Sequence, residues 1–251
     1  MNTNSLDQVY ESIGAGYAEA RRADPRIQRL ILDALGDAES VVNVGAGAGN
    51  YEPTDRQVVA VEPSLTMIAQ RGAATGPEVR AVAEALPFNN QTFGAALATF
   101  TLHHWTDWTA GLSELRRVAR RQVILLFEPL ESRRFWLVEY FPECLSLPSE
   151  IGAPGVDDVR AHLEVQTVAH VPVPADCIDG FAGAYWGRPE VYLDPSVRAG
   201  ISSLAMLSPE ADERGAQLLR KDLASGAWDA RHGYLREMPE FDLGYRLLTA
   251  G

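Results

Sequence analysis

SVVNVGAGAGN, residues 40 to 50, joins a short apolar run to three glycines spaced G-x-G-x-G, at Gly45, Gly47 and Gly49. A second apolar run that ends in an acid, QVVAVEP, follows at 57 to 63. The first run has the length and branched-residue content of a buried parallel strand. Glycine lets the turn after such a strand bring bare backbone against a ligand. Glu62, at the tip of the next strand, is placed to accept hydrogen bonds from ribose hydroxyls. The pairing points to a cofactor that carries a nucleoside. The dinucleotide fingerprint G-x-G-x-x-G needs a third glycine where this chain has Asn50.

Working outward, Ile27, Leu30, Ile31, Ala34 and Leu35 fall on one helical face, and Gly36 stands where a helix C-cap belongs. Strands are predicted near 40 to 46, 57 to 62, 79 to 83, 95 to 101 and 122 to 127, with a helix from Asp107 to Ala119 among the intervening patterns. Alternating strands and helices mean a parallel sheet wound on both sides, an α/β fold. After Pro129 come a short amphipathic piece (Arg133 to Phe141), a helix starting near Val156, and EVQTVAHVPV at 164 to 173 as a sixth strand. Residues 176 to 240 carry helical patterns only, one of them N-capped by Ser208, and GYRLLTA at 244 to 250 reads as a seventh strand.

The chain has 251 residues, 46% hydrophobic and 22% charged, enough for one compact α/β unit with an elaborated second lobe. No apolar stretch approaches a membrane span, and MNTNSLDQVY lacks the basic start and apolar core of a signal peptide, so a soluble, cytoplasmic protein without membrane partners is expected. A net charge of −12, with Lys221 the only lysine, would repel a phosphate backbone and argues against nucleic acid as partner. Cys144 and Cys177 have no metal-type spacing. The sequence is compatible with a homodimer and does not specify one.

VVNVGAGAGNY, VVAVEPSLTMIAQR at 58 to 71 and VRAVAEALPFNNQTFGAALATFTLHHW at 79 to 105 resemble, in order and spacing, the motif blocks of class I S-adenosylmethionine-dependent methyltransferases of the ubiquinone/menaquinone-biosynthesis (methyltransferase type 11) group. The likeness extends through QVILLFEP at 122 to 129 and back to YESIGAGYAEARRADPRI at 10 to 27. It implies a Rossmann-like, doubly wound seven-stranded sheet with an antiparallel last strand. Residues 1–175 with 241–251 would then form the cofactor-binding core, and 176–240 a helical lid over a small-molecule acceptor.

The resemblance also implies which residues hold the cofactor. Gly45, Ala46, Gly47 and Gly49 would face its methionine and ribose parts, Glu62 the ribose hydroxyls, and Pro63 and Met67 the adenine. Val82 stands where relatives usually carry an aspartate for the adenine amino group, which leaves adenine recognition to the backbone around Ala83 and to Glu84, or to apolar clamping alone. Thr99 and Phe100 would line the methionine end. Tyr10, Tyr17 and Arg21 match a pattern in which the tyrosines close over the cofactor and the arginine pairs with its carboxylate. Asn43 replaces an acid that often sits by the cofactor's amino group.

His103 and His104 lie at the C-terminal end of the fourth strand, the edge where open parallel sheets bind ligands. Either could take a proton from the acceptor as a general base, or simply position the cofactor's methionine arm, a role that the resemblance gives to His103. In the lid, Tyr185, Trp186 and Arg188 are the candidates for a substrate-facing wall. The leading expectation is in-line methyl transfer to a small molecule. Two alternatives remain: an enzyme that cyclises or transfers the aminobutyrate arm and releases methylthioadenosine, and a cofactor-binding protein without catalysis.

The first expected outcome is thermal. S-adenosylmethionine and S-adenosylhomocysteine should raise the melting temperature and NAD should not, because a ligand that binds only the folded state stabilises it by mass action. A thermal-shift series with the reverse result would remove the family assignment.

Overall fold

The structure, a computed structural model, describes residues 21–72 and 76–251. Its centre is a seven-stranded sheet made of β1 (Ser40–Val44), β2 (Gln57–Val61), β3 (Glu78–Val79), β4 (Phe93–Thr99), β5 (Ala119–Phe127), β6 (Val165–His170) and β7 (Tyr245–Ala250). The order is β3-β2-β1-β4-β5-β7-β6. The first five strands are parallel, with registers such as Val42↔Val59 and Val42↔Ala96, and β7 runs antiparallel to both β5 and β6. This is the expected Rossmann-like sheet. Its strand order turns back between β1 and β4, which opens a crevice at their carboxyl ends.

Buried parallel strands show side chains to two cores, and the period-2 alternation sorts them. Val41, Ala95, Leu97, Val123, Leu125 and Leu247 meet Ile27, Ile31 and Leu35 of the helix Pro25–Leu35. Val42, Val44, Ala96, Ala98, Ile124 and Leu248 meet Leu112, Leu115 and Val118 of the helix Trp108–Val118. Each helix begins on an aspartate. Asp24 accepts a bond from the Arg26 N–H at 3.0 Å, and Asp107 accepts from Thr109 and Ala110 at 3.0 Å each. Gly36 ends the first helix at φ 59°, a conformation that suits glycine.

The outer elements depart from the sequence pattern. The strand predicted over 79–83 shrinks to the edge pair Glu78–Val79, and Val82 beyond it is 47% exposed. The stretch 164–173 divides: Val165–His170 joins the sheet, whereas Val173–Pro174 pairs with Glu240–Phe241 in a small separate ribbon. The amphipathic piece from Arg133 becomes the 3₁₀ turns Trp136–Glu139 and Pro142–Ser146, broken at Pro142, which has no N–H to continue a helix.

Two stretches, 129–151 and 176–240, build a helical cover over the carboxyl edge of the sheet. Trp136 is its hub. The ring lies edge-on to Tyr192 at 5.5 Å and to Trp228 at 5.3 Å, and its indole N–H donates to the Trp186 carbonyl at 2.8 Å. Such aromatic pairs add about 0.5–1.5 kcal/mol each beyond the burial of their area. Arg198, buried, clamps Asp212 of the helix Pro209–Ser225 at 2.6 and 2.9 Å and also donates to the Tyr192 carbonyl.

On that long helix Gly215 lies flat against Phe141, and an added Cβ would stand 2.7 Å from the Tyr140 carbonyl oxygen as well as inside the Phe141 ring's space. Gly215→Ala should therefore destabilise. The gain in helix propensity is about 1 kcal/mol, but overpacking against backbone costs about 1–3 kcal/mol. Chemical denaturation should show a lower midpoint at unchanged slope; a higher midpoint would mean that the cover gives way freely.

Candidate active site

The three glycines after β1 all take left-handed φ, 70° at Gly45, 52° at Gly47 and 95° at Gly49, so the turn needs residues without a Cβ. At Gly45 the constraint is double, because an added Cβ would overlap the Thr101 hydroxyl and lie 2.8 Å from its Cβ. The β1 and β4 loops thus touch through hydrogen atoms only. Glu62, at the end of β2, is buried and closes the turn from the other side. Its two carboxylate oxygens accept from the N–H groups of Gly47 at 2.9 Å and Ser64 at 3.0 Å. Behind the turn, the buried Asn43 donates to Glu52 at 2.9 Å, and Glu52 pairs with Arg71 at 2.8 Å. Asn43 thus faces this network and does not line the cleft.

Around the turn lies a cleft of about 1050 Å³. Gly45, Ala46, Gly47, Glu62, Pro63, Met67, Ala83, Glu84, Thr99 and Phe100 line it, which gathers ten of the positions that the sequence assigned to the cofactor. Its chemistry fits an adenosyl group: a carboxylate for vicinal hydroxyls, and an apolar slot between Pro63, Met67 and Ala83. Glu84 also accepts from the Asp107 N–H at 3.0 Å. Gly49 shapes the turn, its N–H donating to the Ala46 carbonyl, but does not line the cleft. Trp105, Thr101 and Tyr51 are wall residues that the assignment missed. Tyr10 and Tyr17 lie outside the described residues.

Arg21 borders the cleft. Its guanidinium grips Asp179 with both ends, at 2.6 and 3.2 Å, and Asp179 also accepts from the Tyr51 hydroxyl at 2.7 Å and the Gly180 N–H at 2.7 Å. Asp179 is wholly buried and belongs to the cover, so this network ties the cover to the glycine-turn segment. No local pattern around residue 179 announces it.

A second cavity, of about 960 Å³, opens beneath the cover and shares Arg21, Phe100 and His104 with the first. Phe100 makes the partition. Its backbone is held at φ 51° by an N–H to the Leu125 carbonyl at 2.8 Å, and its ring rests on Phe181 and Tyr245, 5.2 and 5.3 Å away. A bulky residue kept in that conformation carries strain that its surroundings must over-determine. The remaining wall is mostly apolar, with Phe127, Phe135, Leu137, Phe141 and Leu243 prominent.

His103 lines this second cavity and not the cofactor cleft, where the sequence had also placed it; His104 lines both. Their ring centres lie 3.9 Å apart, the planes tilted by 45°, on the turn Leu102–His104. Burial holds both below the ordinary imidazole range, His104 near 4, and at His103 the adjoining His104 adds to the effect of burial. Tyr185, Trp186 and Arg188 reach neither cavity. They fasten the cover instead: the Trp186 indole donates to the Val173 carbonyl at 2.9 Å, and Arg188 donates to the carbonyls of Cys177 and Ala184 while lying 5.0 Å from the Tyr185 ring. Among the described residues no helix is long and apolar enough to cross a membrane.

Two histidines with depressed folded-state pKa contribute stability that is complete above their unfolded value of about 6.5 and is lost as pH falls towards 4. Replacing both with asparagine should therefore leave a protein whose melting temperature falls less than the wild type's between about pH 7 and 4.5. Parallel curves for the two proteins would mean that the imidazoles are solvated.

The methyltransferase domain family matches residues 42–127, from within β1 to the end of β5. Over 132 residues the sequence is 34% identical to a demethylmenaquinone methyltransferase of Mycolicibacterium vanbaalenii, covering 51% of this chain and 54% of that one; the chain spans about half the length of that curated relative. The fold superposes with a TM-score of 0.54 on phosphoethanolamine N-methyltransferase 2 of Haemonchus contortus, at 15% identity over 97% of this chain and 56% of that one, a likeness of fold alone. It matches much more closely, with a TM-score of 0.84 and 30% identity, a protein of Anabaena variabilis ATCC 29413 described as a methyltransferase of an antibiotic-biosynthesis pathway, and covers 92% of this chain and 99% of that one. A relationship that runs the whole length of a relative, centred on the strands that carry the glycine turn and Glu62, means that the chain belongs to the S-adenosylmethionine-dependent methyltransferases.

Proposed function

We propose that the protein transfers a methyl group from S-adenosylmethionine to a small, largely apolar acceptor held in the cavity beneath the cover. The observation that carries this reading is the junction of the two cavities at Phe100, His104 and Arg21. Methyl transfer from a sulfonium is an in-line displacement, and its main demand on a protein is that donor and acceptor be held in near-attack geometry. When bound, the cofactor supplies an activated methyl group that needs no covalent help from the chain.

In this reading Glu62 receives the ribose hydroxyls, the glycine turn lies against the methionine and ribose portion, and Pro63, Met67 and Ala83 hold the adenine. Phe100 sets the depth at which the acceptor stops, and the apolar walls exclude water from the junction. The 176–240 segment forms the lid, with 129–151 completing the acceptor's walls. His103 and His104, kept neutral by burial, position the junction and do not drive the chemistry. A relative whose name gives demethylmenaquinone as its substrate supports an apolar ring system as the acceptor class.

Product analysis tests the proposal. Incubation with S-adenosylmethionine and a panel of aromatic and polycyclic acceptors should yield S-adenosylhomocysteine and a product heavier by one methyl group in equal amounts. Methylthioadenosine in place of S-adenosylhomocysteine would show that the aminobutyrate arm is the group that reacts, and would overturn methyl transfer.

A further inference from the structure

Among the described residues Glu150 is the one carboxylate on the wall of the second cavity. It sits in the short helix Pro148–Ile151, which packs against the turn that bears His103 and His104. Among the described residues no donor satisfies its carboxylate, and the one cation that acts on it is Arg133, through space. Cys144 and Tyr245 share the cavity wall with it and feel its charge, and Arg21 stands where the two cavities join. Glu150 is half-buried, with its carboxylate on the cavity wall. Carboxylates withdrawn from bulk water are normally hydrogen-bonded or paired, so one left without a donor at a cavity calls for a partner from outside the chain.

We propose that Glu150 is the proton acceptor of the reaction, and that the acceptor is an apolar ring compound whose methylated group is a weakly acidic hydroxyl. This rests on the methyl-transfer reading and adds to it the substrate class and a base. In the step, a lone pair of the hydroxyl oxygen forms the new O–C bond as the S–C bond breaks. The O–H proton passes to a Glu150 oxygen, and the sulfonium leaves as a neutral thioether. Charge is conserved, since one cation and one carboxylate become two neutral groups.

Two considerations favour a hydroxyl over an ammonium. A neutral amine needs no base before it attacks, whereas a hydroxyl does. Desolvation, opposed only by Arg133, also pushes the Glu150 carboxyl up to about 7, where a base is ionised at neutral pH yet strong enough to take a proton. His103 and His104, Cys144 and Tyr245 are the other titratable groups around it. Burial makes the imidazoles weaker bases than usual, and the thiol and phenol stay protonated at neutral pH.

The experiment begins with S-adenosylhomocysteine alone, whose failure to bind would sink the methyl-transfer reading before Glu150 is tested. Calorimetry on the S-adenosylhomocysteine-loaded protein then compares 2-naphthol, 2-naphthalenemethylamine and naphthalene between about pH 5.5 and 8.5. The naphthol should bind best, with an affinity that rises about fivefold or more through pH 7 as Glu150 ionises, and Glu150→Gln should flatten that rise while leaving naphthalene unaffected. With whichever hydroxyl compound the acceptor panel shows to be methylated, Glu150→Gln should lower kcat by about 10² to 10⁴ with KM changed little, and Glu150→Asp should restore part of it. Removing an unsatisfied buried charge should not lower the melting temperature, so loss of folding does not obscure the result. Preference for the amine, no binding by any probe, or an unchanged pH profile in Glu150→Gln would each overturn the proposal while leaving methyl transfer standing.

Discussion

The whole site depends on one close approach. Gly45 and Thr101 belong to loops that follow adjacent strands, β1 and β4, and there is no room between them for a single carbon atom. Because these loops meet, the crevice at the strand-order reversal is floored by backbone. Gly47 can then turn its N–H towards Glu62, while the Gly49 N–H closes the turn on the Ala46 carbonyl. Any side chain at position 45 would have to push β4's loop outward, and with it Phe100 and the two histidines. The geometry of the donor cleft and that of the acceptor cavity are thus fixed by the same contact.

The site's electrostatics follow from how dry the second cavity is. Desolvation disfavours whichever form of a group is charged, so the same apolar wall that keeps His103 and His104 neutral raises Glu150 towards neutrality. On the donor side the opposite treatment holds: Glu62 is stabilised by two backbone N–H groups, the local arrangement in which a buried carboxylate is comfortable.

The sequence made the donor half of this arrangement readable and left most of the acceptor half hidden. The glycine turn, the acid after β2 and the apolar periodicities are local signals, each fixed by a few consecutive residues, and the antiparallel last strand came with the family resemblance that they carry. Glu150 and Asp179 gave no such signal, because what matters about them is the distant chain that buries them: the 102–104 turn in one case, Arg21 and Tyr51 in the other. Tyr185, Trp186 and Arg188 misled for the same reason. Aromatics near a cation look alike in sequence whether they face a cavity or, as here, carbonyl groups inside the cover. The edge strand at 79–83 was overestimated because apolar composition alone does not supply a neighbour to pair with.

The carboxylate of Asp179 also sets the direction in which the cover can part from the sheet. It is wholly buried, and its partners Arg21 and Tyr51 stand on the segments that flank β1, outside the cover. Pulling the cover away while Asp179 stays in the interior would strand a desolvated charge, at a cost of about 3–5 kcal/mol. That would hold such an open form to less than about one molecule in a hundred. Displacement is therefore biased to the path on which water reaches Asp179 first, along the mouth of the donor cleft.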